Sequence, residues 1–348
     1  EREKETERND EKEGEKKKKK KKKGKKSKKI TTKKKKKNKI NKNTSQLNNK
    51  ISVAFIIPTT SFGLEEDAEV SSLPLFRLLV PTLRDTLTDE KDWANMTLYL
   101  GYDEDDVMYD NQQNLKELHE IFQLNVPDIQ LNPLRMVGMK DKVAHIWNSL
   151  MYAAYEDEAE YFCVLSDDAN LLQKGWLKSL ITTLQTKTLV PNFGTVAFYE
   201  EHKKLKHGTF PTFPTLHRTH LEIFGKDYAV HPFFSNSYSD PYLADIYKPF
   251  QSAKIAINAR IKNVIGGEDL PRYNPGPPVA LSYVELVIWG RKRISKWLAK
   301  NHPHIVDTWS VTNFQYGSEG LLYDRFCVDE FNDGCMAKYV KQDSVNGE

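Results

Sequence analysis

The sequence predicts an α/β fold in which a mostly parallel β-sheet is wound with helices. Three observations carry this reading. Short runs of strand length alternate with segments of helical periodicity, the strand-like runs are apolar throughout, and three of them stop at polar or acidic residues. Ligands of such sheets bind outside the carboxyl ends of the strands, so the ends "PTTSFG", "GYDEDD" and "SDDAN" are expected to converge on one cleft.

Residues 1–50 lie outside this pattern. They carry 24 Lys/Arg against 8 Asp/Glu and almost no large apolar side chain, with runs such as "KKKKKKKKGKKSKK". Such a segment cannot bury enough surface to offset its ordering entropy, and it reads as a disordered basic tail. Residues 51–348 hold the other 28 Lys/Arg and 40 Asp/Glu, so the folded part is about −12 and the tail about +16. The tail suits a solvated low-complexity segment or contact with an anionic surface. An acidic folded part argues against an obligate nucleic-acid binder, which needs a basic face, although a non-enzymatic protein binding nucleic acid through the tail is the alternative from another class.

"ISVAFIIP" (51–58) is a continuous apolar run closed by a proline, the mark of a central parallel strand. "LPLFRLLVPTLRDTL" has helical spacing interrupted at Pro81, and "MTLYLGYDEDD" is a second strand ending in acids, followed by the helix "NQQNLKELHEIF". Between residues 140 and 155, Val143, Ile146, Trp147, Leu150, Met151 and Ala154 fall on one helical stripe. The strand "YFCVLS" comes next, then "GWLKSLITTLQ", whose Trp176, Leu177, Leu180, Ile181 and Leu184 again share a face. No run approaches the roughly 18 apolar residues of a membrane-spanning helix. The chain starts at Glu1 rather than Met, so an upstream signal or anchor stays open, as does the choice between secretory pathway and cytoplasm. Sequons at Asn43 and Asn95 are a weak secretory hint, and the three cysteines, Cys163, Cys327 and Cys335, are too few for a disulfide framework.

The adjacent acids Asp167 and Asp168 raise the chemical question. A buried strand tolerates no unpaired charge, so they sit at its exit, either as an ordinary turn or as ligands of a hard cation, which wants carboxylate oxygens and shares itself with phosphates. "YFCVLSDDANLLQKGW" resembles the strand, acidic motif and following Gly-Trp of nucleotide-sugar-dependent glycosyltransferases with the GT-A fold, especially family 2-like enzymes. "PTTSFG" and "KDKVAHIWNSLMYAA" add to the likeness, which covers roughly residues 51–250.

The resemblance implies a GT-A-like, Rossmann-like domain over 51–348, with a nucleotide-sugar half (51–190) and an acceptor half (191–348). It implies a UDP- or GDP-sugar donor, a glycan, protein or lipid acceptor, and a divalent metal, Mn²⁺ or Mg²⁺. By position Asp168 would be the metal ligand and Asp167 its helper. Pro58, Thr59 and Asp103 would line the nucleoside pocket, and Lys142 could add a positive contact to the nucleotide. Asp105 and Asp106 read as the solvated remainder of the acidic loop. Ser166 and Asn170 depart from a fully acidic triplet. The resemblance also favours an Asp in "SNSYSDPYLADIYKPF" as general base. Asp240, read as a helix N-cap before Pro241, is preferred, with Asp245 as the alternative about 140° around the helix axis.

The second half is rich in His and aromatic residues, which suit sugar stacking or core packing equally. His217 and His220 are a weak pair of metal candidates, and "GGEDLPRYNPGPP" reads as a cover loop whose Arg272 could meet phosphate. A nucleotidyltransferase is the alternative within α/β enzymes, but "PTTSFG" lacks the Gly-rich phosphate loop that such enzymes usually place after the first strand.

Overall fold

The computed structural model describes residues 50–308 apart from 66, 202–203, 206–207, 210, 237 and 265–281. Residues 1–49, Cys327, Cys335 and the loop with Arg272 therefore lie outside the described residues.

Strand β1 (Ile51–Thr59) is the spine of the sheet. Alternate side chains of a strand point to opposite faces. Val53, Phe55 and Ile57 join one core cluster while Ala54 and Ile56 join the other, which explains a run that is apolar without alternation. β2 (Ala94–Asp103) and β3 (Ile129–Met136) continue in parallel on one side of β1, and β4 (Tyr161–Val164) pairs in parallel on the other. Next along the chain come β5 (Ala169–Leu171), β6 (Thr195–Glu200), a two-stranded ribbon of β7 (Lys204–Leu205) and β8 (Gly208–Thr209), β9 (Thr212–His217) and β10 (Ala253–Asn263). The main sheet has eight strands in the order β3-β2-β1-β4-β9-β6-β10-β5. Only β9, against β4 and β6, and β5, against β10, run antiparallel to their neighbours. This is the Rossmann-like, GT-A-like architecture that the resemblance implies.

Helices cover both faces. The wide turn Leu75–Leu79, α1 (Val80–Thr86), α2 (Gln112–Asn125) and α4 (Trp176–Thr186) pack on one side. On the other lie α3 (Val143–Glu156), α5 (Thr219–Phe224), α6 (Ser239–Tyr247) and α7 (Ser282–Asn301). Pro81 falls in the first turn of α1, where a missing N–H removes no intrahelical bond, so it reshapes the helix start instead of ending it. Gly101 allows α3 to press onto β2, since a Cβ there would lie 2.6 Å from Ile146 Cγ2. Fully buried Trp176 opens α4 and donates its indole N–H to the Thr86 hydroxyl at 3.0 Å, joining α4 to α1.

The first half of α3 also holds an irregular segment in front of α6. The Asn148 amide donates to the Val230 carbonyl and accepts from the Val230 N–H, both at 2.8 Å, and the Ala144 N–H donates to the Ser235 carbonyl at 2.8 Å.

Candidate active site

In the order β3-β2-β1-β4, the chain builds outward from β1 to β3 and then crosses back to place β4 on the other side of β1. The strand order thus reverses between β1 and β4, and a crevice opens at such a switch point beyond the carboxyl ends. β1 outlasts β4 here. Their pairing stops at Ile56↔Val164, while β1 pairs with β2 as far as Thr59↔Tyr102. Pro58, buried, therefore lies where only β2 still pairs with β1.

Past Val164 the chain turns sharply, with the Ala169 N–H donating to the Ser166 carbonyl at 3.2 Å. Asp167 and Asp168 are the two central residues of that turn, so their side chains diverge. Asp167 points inward, only 1% exposed, and its Oδ2 lies 2.6 Å from the Thr59 hydroxyl. Asp168 is half-buried. The Ser166 hydroxyl is buried without a hydrogen-bond partner among the described residues. Thr59 is itself fully buried, so its hydroxyl serves Asp167 from below the crevice floor.

The loop after β2 is locked to the loop after β1 by Asp106. Its carboxylate accepts from the Thr60 hydroxyl (3.0 Å), the Ser61 N–H (2.7 Å) and hydroxyl (2.6 Å), and the N–H groups of Met108 (3.1 Å) and Tyr109 (3.0 Å). The expectation of a solvated Asp106 is thus corrected. Five donors compensate its burial, whereas Asp105 is exposed and pairs with Lys140 at 3.2 Å. A short polar stretch after β1 is the signal that could have found this partnership.

Asp103, the last residue of β2, is 6% exposed, and its Oδ1 has no hydrogen-bond partner among the described residues. Burial first, then the carboxylates of Asp106, Asp105 and Asp141, raise its pKa to about 6, with Lys140 pulling the other way. Folding therefore favours the protonated form. Its stabilising contribution is complete below the ordinary carboxyl range near 3.8 and is lost as pH rises through about 6. Asp103→Asn should accordingly gain about 2–5 °C in melting temperature relative to wild type between pH 4.5 and pH 8. A difference that stays flat across this range would show that Asp103 titrates like an exposed carboxylate.

The remaining candidates divide between the crevice and the helical face. Lys142 is exposed at the N-cap of α3 and donates to the Gly138 carbonyl at 2.9 Å. Asp240 does not cap α6. The helix begins at Ser239 behind Tyr238, which has a left-handed φ of 69°, so Asp240 lies in the first turn. Asp245 accepts the Tyr283 hydroxyl at 2.7 Å, and its backbone carbonyl accepts from Arg291 at 2.8 and 3.0 Å, fastening α6 to α7. His217 and His220 each have other partners. His217 bonds the Thr219 hydroxyl at the amino end of β4, away from the crevice, and His220 bonds the Tyr247 hydroxyl and the Ala229 carbonyl. Burial lowers both imidazole pKa values to about 4. Glu200, missed in the sequence, is a buried acid at the end of β6. Its Oε1 accepts the N–H of Asn263, the residue in register with Ala169 beside Asp168.

The side chains at this turn, Ser166, Asp167 and Asp168, offer only oxygen, the donor type that suits Mg²⁺ or Mn²⁺. Among the described residues no three His, Cys, Asp or Glu side chains gather to hold a metal by themselves. A cation at Asp168 would complete its shell with water and phosphate oxygens, as Mg²⁺ ordinarily does.

No protein-family model and no curated protein matches the chain. Among solved structures, S. aureus TarS 1–349 in complex with UDP is similar at 9% identity, over 76% of this chain and 74% of that one, with a TM-score of 0.40. A second S. aureus TarS structure matches at 9% identity and a TM-score of 0.43, with 76% of this chain spanning 45% of that one. The 4-diphosphocytidyl-2C-methyl-D-erythritol synthase from Anaerococcus prevotii matches at 12% identity, over 71% of this chain and 99% of that one, with a TM-score of 0.35. Likenesses at these values concern the path of the chain alone.

Proposed function

We propose that this protein is a glycosyltransferase that moves a sugar from a nucleoside-diphosphate donor to an acceptor hydroxyl, assisted by a divalent metal. The observation that carries the reading is the acidic, all-oxygen corner at the switch point, where Asp167 and Asp168 leave β4 against the end of β1. Buried Asp103 stands at the end of the adjoining β2. Such a corner repels a diphosphate on its own, and a cation reconciles the two. Asp168 would hold that cation, with Asp167 as its helper. The metal would supply charge stabilisation to the departing nucleoside diphosphate. Asp103, Pro58 and the backbone at Thr59 would face the nucleoside, and Lys142 could turn from the Gly138 carbonyl to the nucleotide. Asp240, with Asp245 as the alternative, would take the proton of the acceptor hydroxyl. The acceptor would be a glycan, protein or lipid.

The test is a screen of purified protein against UDP- and GDP-sugars with Mn²⁺ or Mg²⁺, scored by nucleoside diphosphate release and by thermal shift. Metal-dependent release supports the reading. Pyrophosphate release from a nucleoside triphosphate and a sugar phosphate would replace it with nucleotidyl transfer.

A further inference from the structure

The geometry points to Tyr109 and Thr59 as positioning residues for Asp167, an inference that rests on the transferase reading above. Thr59 Oγ1 lies 2.8 Å from the Tyr109 hydroxyl and 2.6 Å from Asp167 Oδ2. A hydroxyl has one proton, so Thr59 donates to one of the two and accepts from the other, linking Tyr109 to Asp167. All three residues are at most 1% exposed, and in such surroundings a chain of hydrogen bonds is electrostatically stronger than in water. Each comes from a different strand end: β1 supplies Thr59, the loop after β2 supplies Tyr109, and the turn after β4 supplies Asp167.

Tyr109 is in turn fixed. Its N–H donates to Asp106, which also holds Thr60 and Ser61, and its ring stacks on Tyr102 with centroids 5.8 Å apart. The relay thus has a rigid origin in the β2 loop and ends on one named oxygen of the acid beside the candidate metal ligand. The side chain of Thr59, a residue expected to line the nucleoside pocket, meets Asp167.

Tyr109→Phe and Thr59→Val remove the two hydroxyls in turn, and Thr59→Ser keeps the second. Calorimetric titration of each full-length protein with Mn²⁺ in the presence of UDP or GDP reads the effect without turnover. Thr59→Val should weaken Mn²⁺ binding by up to about 10-fold, below the scale of losing a direct partner of a ligand, Tyr109→Phe should weaken it by a smaller factor, and Thr59→Ser should stay near wild type. A role in packing alone would lower the melting temperature and leave Mn²⁺ affinity unchanged. That outcome, in folded Tyr109→Phe, overturns the inference while the transferase reading stands. A wild-type protein that binds neither nucleotide with Mn²⁺ overturns both.

Discussion

Asp168→Asn should reduce sugar transfer to below about 1% of wild type and abolish the metal-dependent part of nucleotide binding. Loss of an outer-shell partner already costs about 10- to 100-fold in metal affinity, so loss of a direct ligand should cost more. The fold should survive the change. Asp168 is half-buried in a two-residue turn, a setting that accepts asparagine as readily as aspartate, and the two side chains are nearly isosteric. A melting temperature within about 2 °C of wild type would confirm this, since substitutions away from core packing usually shift stability by about 0.5 kcal/mol or less. Full activity in the variant, or in wild type with a chelator, would remove Asp168 from the metal role.

Asp240→Asn is expected to lower kcat by at least about 100-fold while donor affinity stays near wild type, the usual scale of general-base loss. The placement of Asp240 inside the first turn of α6 sharpens this test. Tyr238 holds the cap position and makes no side-chain cap bond, so the substitution removes no cap. The substitution also takes away a charge facing the positive end of the helix dipole, worth about 0.3–1 kcal/mol. A small loss of melting temperature with a large loss of kcat therefore separates chemistry from structure. Unchanged kcat would pass the same experiment to Asp245, where a fall in stability is also expected because its carboxylate is tied to Tyr283.

The sequence made the first half of the sheet legible because β1 and β4 are buried on both faces and read as unbroken apolar runs. The helices α3 and α4 were equally clear from their stripes, although α3 starts at Val143 and not at 140. The other strands were hidden for local reasons. β3 is only half-buried and contains Pro133, and β9 contains Pro214 with Phe213 at a φ of 54°. β10 slips register against β6 between Ala256 and Arg260, which breaks its alternation. The convergence of three polar strand ends was legible. The burial of Asp106 was only half legible: the polar stretch after β1 announces the Thr60 and Ser61 hydroxyls, but three of its five donors are backbone N–H groups that no residue type announces.

The bonds from α3 to Val230 and Ser235 bear on how the molecule opens. Residues 226–236 contain no regular element, yet two backbone N–H groups at this junction, those of Val230 and Ala144, are held at 2.8 Å. Asn148 sits midway along α3 and is buried, so releasing Val230 requires displacing a side chain rooted in the helix that covers β1 and β2. The segment leading into α6 therefore shares the local unfolding free energy of α3 instead of fraying as a surface loop would. Amide exchange would register the two as one cooperative unit, with a stretch lacking helix or strand protected like the core beneath it.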